Sequence, residues 1–204
     1  MVEKIVKDAL LLWATIDPIG TLALFAAVTS HLPSAARKKT AFKAIVYSSI
    51  ILIGSIVVGQ LILTGMGVKL ISLELAGGVI LFLFGLHMIF GSTSEMTADR
   101  PEAGHDVAVF PLAVPSIASP GAIMAVILLT DNYTYPIFTQ AVTAAITLAV
   151  LSVSFVLMLL AGPILRVIGK NGAAILVRVM GMILAALSVE LVMDALGLER
   201  WIAG

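Results

Sequence analysis

From Ala44 to Val68 no side chain carries a charge, and the same holds from Val107 to Thr130 and from Asn132 to Leu165. A bilayer crossing takes about 20 mainly apolar residues wound as a helix, because lipid offers no partner to an unpaired backbone N–H or C=O. Stretches this long and apolar commit the chain to membrane-spanning helices. Two further spans carry isolated polar groups: Leu70–Gly91 holds Glu74 and His87, and Ala173–Leu196 holds Arg178, Glu190 and Asp194. Ala9–Ser30 makes a sixth. Within the third uncharged stretch, NYTYPIF reads as an interfacial turn, with helix from Phe138 to Gly162.

Composition agrees. Hydrophobic residues make up 60% and charged residues 12% of the chain, too little charge to cover a soluble domain. Twelve Lys+Arg balance twelve Asp+Glu, so no basic face for nucleic acid is expected. The absence of cysteine removes disulfides and thiolate metal sites. No Gly-rich phosphate loop, metal-ligand cluster or Ser/His/Asp set stands out, so the sequence supports neither an enzyme nor a cofactor. The N-terminal lysines ahead of an apolar run resemble a signal peptide, but no small-residue cleavage site follows, and a retained first helix is expected.

Six spans with short linkers place Lys4, Lys7, Lys69 and Arg200 on one side. Arg37, Lys38, Lys39, Lys43, Arg100, Arg166, Lys170 and Arg178 fall on the other. The richer side should be cytoplasmic, which puts both termini outside a cytoplasmic (inner) membrane. Arg37-Lys38-Lys39 is then a topology signal, Glu74 and Asp194 are interfacial, and His31 and His105 are loop residues.

Laid over each other, the halves match. IDPIGTLALFAAVT (Ile16–Thr29) aligns with IASPGAIMAVILLT (Ile117–Thr130), and AGGVILFLFGLHM (Ala76–Met88) with VMGMILAALSVEL (Val179–Leu191), at offsets of 101 to 103. The second helices of the halves align poorly. Three helices per half is an odd number, so the second copy enters from the opposite side. The expectation is an all-α polytopic membrane protein of six transmembrane helices in two inverted three-helix repeats with broken first helices, residues 1–98 and 99–204. Transporters built this way hold substrate near the midplane where broken helices meet.

The breaks themselves are legible. Asp17 lies about 12 Å into a helix starting at Ala9, and Ser119 about 18 Å in from Val107, both near the middle of a ~30 Å hydrocarbon core. Proline is at home only in the first turn of a helix, and Asp or Ser just before it is a favoured cap. Asp17-Pro18 and Ser119-Pro120 therefore read as new helix starts in mid-bilayer, with Pro111 and Pro115 loosening the approach to the second. Such ends offer N–H groups and partial positive charge to an anion. An ionisable residue at that depth is a functional candidate by default. His87 and Glu190 are further candidates for proton coupling, or else interfacial or interhelical partners. Ala76–Gly78, Gly54 and Gly59 suggest close helix packing.

At these residues the chain resembles the MarC/SnatA family of bacterial and archaeal inner-membrane proteins. The resemblance is carried by DPIGTLALF, AGGVILFLFGLHMIFG and VAVFPLAVPSIASPGAIMAVILLT and covers residues 10 to 195. It implies transport of small neutral amino acids, chiefly glycine and alanine. Mapped onto this sequence, the substrate-binding candidates are Asp17, Pro18, Ile19, Gly20, Thr21, Ser119, Pro120, Gly121 and Ala122. Thr21 stands where Asn is common in the family, and Ala23 where Pro is common. Substrate carboxylate is expected at the helix starts around Gly20-Thr21 and Gly121-Ala122, with Asp17 serving the ammonium group, capping the half-helix, or both. Coupling to H+ is the expected drive, with Asp17, His87 and Glu190 as its candidates. Two rivals share these features: an exporter or channel for another small solute, and a non-transporting scaffold with mere kinks. A homo-oligomer would have to form through lipid-facing helices.

Overall fold

The computed structural model describes residues 2–91 and 106–198. Among them the chain is helical throughout, without a strand: α1 (Val2–Ile16), α2 (Pro18–Val28), α3 (Ser34–Gly65), α4 (Leu70–Phe90), an irregular wound segment (Ala108–Ile117), α5 (Pro120–Leu129), α6 (Ile137–Leu159) and α7 (Ala161–Leu196). The 98/99 boundary between the expected halves lies outside the described residues, as do Arg100, His105 and Arg200.

Five stretches are long and apolar enough to cross a bilayer: Val2–Val28, Ser34–Gly65, Leu70–Phe90, Ile137–Leu159 and Ala174–Leu196. The Ala108–Ile117 segment and α5 reach that length and apolarity only together, across a 53° bend, and make a sixth when taken as one span. These are the six expected crossings, with two starts displaced. α1 begins at Val2 rather than Ala9, and α3 at Ser34 rather than Ala44. Extended Pro33 (φ −65°, ψ 155°) launches α3, and Arg37, Lys38, Lys39 and Lys43 wind into it instead of forming a linker. Long basic side chains tolerate this because their stems lie along apolar surface while their heads reach water. At 32 residues, α3 is about 48 Å long and outreaches the hydrocarbon core.

The two breaks differ. At Asp17 the interruption is short: Asp17 N–H closes α1 on Trp13 O at 3.1 Å and Thr21 N–H opens α2 on Asp17 O at 2.9 Å, and the two helices together make one 27-residue span. Before α5 the ladder fails. Phe110 (φ −124°, ψ 126°) and Val114 (φ −130°, ψ 128°) are extended, each ahead of a proline that disfavours helical geometry in the residue before it. Within α7, Gly169 sits in the left-handed region (φ 69°) and separates a short head from the spanning part.

The most extensive helix pair is α4 on α7. The two run antiparallel and touch backbone to backbone. A Cβ on Gly85 would lie 2.9 Å from Gly181 O, and one on Gly78 would lie 3.1 Å from Ser188 O. Leu81 and Leu184 are buried in the same cluster. Lipid is as apolar as leucine, so such close approach, rather than exclusion from water, holds helices together here. A larger cluster joins α1, α2, α3, α5, α6 and the irregular segment. Phe42, Ile50, Val57 and Leu61 of α3 face outward.

Candidate functional site: two helix starts in contact

α2 and α5 are matching half-helices of 11 and 10 residues, each with proline in its first turn. Asp17 Oδ1 accepts from Gly20 N–H and Ser119 Oγ from Ala122 N–H, both at 3.0 Å. At the far ends, Thr29 Oγ1 donates back to Phe25 O at 2.6 Å and Thr130 Oγ1 to Val126 O at 2.5 Å. Sequence spacing anticipated both caps.

The caps are not conformationally alike. Ser119 is extended, whereas Asp17 adopts φ 47°, ψ 70°, the left-handed region. That conformation costs an ordinary residue about 1–2 kcal/mol, and Asp and Asn bear it best. Gly20 completes the cap, because a Cβ there would overlap the Asp17 carboxylate.

The starts also meet. Ser119 Oγ donates to Thr15 O at 3.1 Å, so the second cap rests on the last turn of α1. Thr21 Oγ1 and Ser116 Oγ lie 3.2 Å apart. Asp17 (7% exposed), Thr21 (1%), Ser119 (2%) and Ala122 (0%) are buried, as are Pro18 and Gly121; Ile19 and Gly20 are half-buried and Pro120 is exposed. His87 and Glu190 are exposed on α4 and α7.

Three of the four amides expected around a substrate carboxylate are already engaged: Gly20 with the Asp17 side chain, Thr21 with the Asp17 carbonyl, and Ala122 with Ser119. Leu81 of α4 packs where a Cβ on Gly121 would go. A ligand that uses these groups must displace a cap and push Leu81 aside.

Thr15, Ser116 and Leu81 were missed in the sequence. Thr15 acts through its carbonyl, which no residue pattern reveals, and a lone Ser or Leu in a span carries no signal. Two further buried polar groups were also missed. Asp8 is 2% exposed, and Gln60 (6%) and Asp131 (8%) are buried together, with Gln60 Nε2 donating to Asp131 Oδ1 at 2.7 Å.

The model of the MarC family of integral membrane proteins matches residues 2–200. This chain belongs to the MarC family. It is 36% identical over 191 residues to a UPF0056 membrane protein of Archaeoglobus fulgidus, covering 91% of this chain and 88% of that one. It is 29% identical over 202 residues to the UPF0056 inner membrane protein YhgN of Escherichia coli, covering 99% and 100%. A Buchnera aphidicola UPF0056 membrane protein is 32% identical over 189 residues, covering 91% and 88%. No solved structure matches the chain. The MarC-family chain is thus an integral membrane protein, as the resemblance implied.

Proposed function

We propose that the chain is a secondary transporter of small neutral amino acids, glycine or alanine, in the cytoplasmic membrane with both termini outside. The contact between the two capped helix starts carries this reading. Buried hydroxyls, a carboxylate and two half-helix N-termini converge where a zwitterion needs both an acceptor and donors. Binding is then an exchange of caps. The solute's carboxylate replaces Asp17 Oδ1 at Gly20 N–H, and the freed Asp17 takes the ammonium group. A proton on Asp17 in the empty site would couple the cycle to a proton gradient.

Two inverted repeats fit the α4–α7 contact. Gly78 and Gly181 are 103 positions apart, and so are Gly85 and Ser188. Exchanging each for its counterpart turns the Gly85–Gly181 contact into the Gly78–Ser188 contact. A two-fold axis through the pair gives that reciprocity.

Ligand protection tests the binding step. At tenfold its Kd a ligand stabilises by about 1.4 kcal/mol. Glycine or alanine at millimolar concentration should raise the unfolding temperature of the purified protein by a few degrees, and leucine should not. No shift with either small amino acid would overturn the substrate assignment.

A further inference from the structure

On the side of the molecule that carries the N-terminus, an ammonium group is already held. Lys4 Nζ lies 2.9 and 2.7 Å from the two oxygens of Asp8. It donates to Leu129 O at 3.2 Å and sits 4.0 Å from the centre of the Tyr135 ring. Asp8 is buried at 2% exposure and also accepts from Thr143 Oγ1 at 2.6 Å. A carboxylate, a carbonyl at the C-terminal end of a helix and an aromatic face are three independent attractions for one cation. Only one of the partners, Asp8, is a neighbour of Lys4 along its own helix. The others come from the end of α5 and the turn before α6, so the cation ties α1 to the end of the half-helix that starts at Ser119.

We infer that Asp8, Leu129 O and Tyr135 form a binding site for a primary ammonium group, filled in this conformation by the chain's own Lys4. While Lys4 fills it, α1, α5 and α6 are pinned together and the N-terminal side is closed. A solute bearing an ammonium group competes with Lys4 for the same three partners and, once bound, bridges α1 to the end of α5 in its place. The site is distinct from the helix starts. Asp8 is nine residues from Asp17, or about 13 Å along the helix. The inference rests on the transport reading for its role but not for its test, which needs no flux.

The chain has no cysteine, so one introduced thiol reports alone. Thr147 is fully buried and one turn deeper in α6 than Thr143, to whose carbonyl it donates at 2.9 Å. In the full-length T147C protein, a membrane-impermeant thiol reagent should label slowly. Adding Lys4→Met should raise the rate about tenfold, the change in opening equilibrium that 1.4 kcal/mol brings. Methylammonium chloride should slow labelling of the Lys4→Met protein again, whereas tetramethylammonium, which has no N–H to donate, should not. In Asp8→Asn, labelling should be fast and indifferent to methylammonium. Labelling of Lys4→Met at the original rate would show that Lys4 closes nothing. A fast rate that methylammonium leaves unchanged would remove the ammonium site. A parallel rise at A44C, on buried Ala44 of α3, would mean general loosening and overturn the inference as well. Because the readout is accessibility, its failure is separable from failure of glycine to bind or be carried.

Discussion

The hydroxyls of Thr21 and Ser116 lie 3.2 Å apart, 95 residues distant in sequence. One follows the first helix break and the other precedes the second. Interhelical hydrogen bonds of this kind within membranes average about 0.6 kcal/mol in double-mutant cycles. Thr21→Ala and Ser116→Ala should therefore each destabilise modestly, and the double variant should cost less than their sum by about that amount. A cycle of unfolding measurements in detergent checks it; strict additivity would mean that the two hydroxyls do not bond.

Asp17 separates capping from charge. Asn keeps the side-chain acceptor for Gly20 and tolerates the left-handed backbone, whereas Ala does neither. Asp17→Asn should stay within about 0.5 kcal/mol of wild type, and Asp17→Ala should lose about 1–3 kcal/mol through the lost cap and the left-handed strain together. Gly20→Ala, whose Cβ would overlap the carboxylate, should resemble Asp17→Ala. Thermal unfolding of the three variants distinguishes these outcomes.

Glycines should sort by the space around them. Gly85→Ala forces a Cβ to 2.9 Å from Gly181 O and 3.0 Å from Ala185 N, and backbone on a facing helix can only move apart. A loss of about 1–3 kcal/mol is expected. Gly54 has nothing within 4 Å of the same position, so Gly54→Ala should gain up to about 1 kcal/mol of helix propensity. Equal effects at the two sites would contradict the close α4–α7 approach.

Acidification should loosen the turn between α5 and α6. Burial pushes the Asp131 carboxyl up, but the Thr134 hydroxyl, the Tyr133 N–H and the Gln60 amide together hold it below the usual carboxylate range. With the folded value below the unfolded one, this stabilisation is fully present above the ordinary Asp value of about 3.9 and is lost as pH falls through the folded value. Unfolding of wild type should become easier over that interval, and Asp131→Asn should flatten the profile there. Gln60→Leu should cost about 1.5–3 kcal/mol near neutral pH, the worth of a hydrogen bond to a charged group.

What the sequence disclosed follows from the range of each interaction. The caps at Asp17 and Ser119 are local, set within three residues by a proline and a glycine, and both were readable, as were the six apolar spans. The cluster at Asp8 was not. Its partners Thr143 and Leu129 are more than 120 positions away, and a first span begun at Ala9 left Asp8 outside the membrane. The start of α3 was placed ten residues late because charge was read as linker, although Lys43 is wound into the helix and reaches Asp106 at 2.6 Å. The unequal bends were legible in part: both breaks carry a capped proline, but only the second is preceded by Pro111 and Pro115, ahead of which Phe110 and Val114 are extended. Leu81 over Gly121 is a packing relation that apolar sequence cannot announce.

The most direct measurement is uptake of labelled glycine into liposomes containing the purified protein under an inward proton gradient, with wild type beside Asp17→Asn. Expected are saturable, gradient-dependent uptake by wild type and its loss in a variant that remains folded. Equal uptake by both would contradict a substrate site at the Asp17 break, and no uptake by wild type would contradict glycine transport itself.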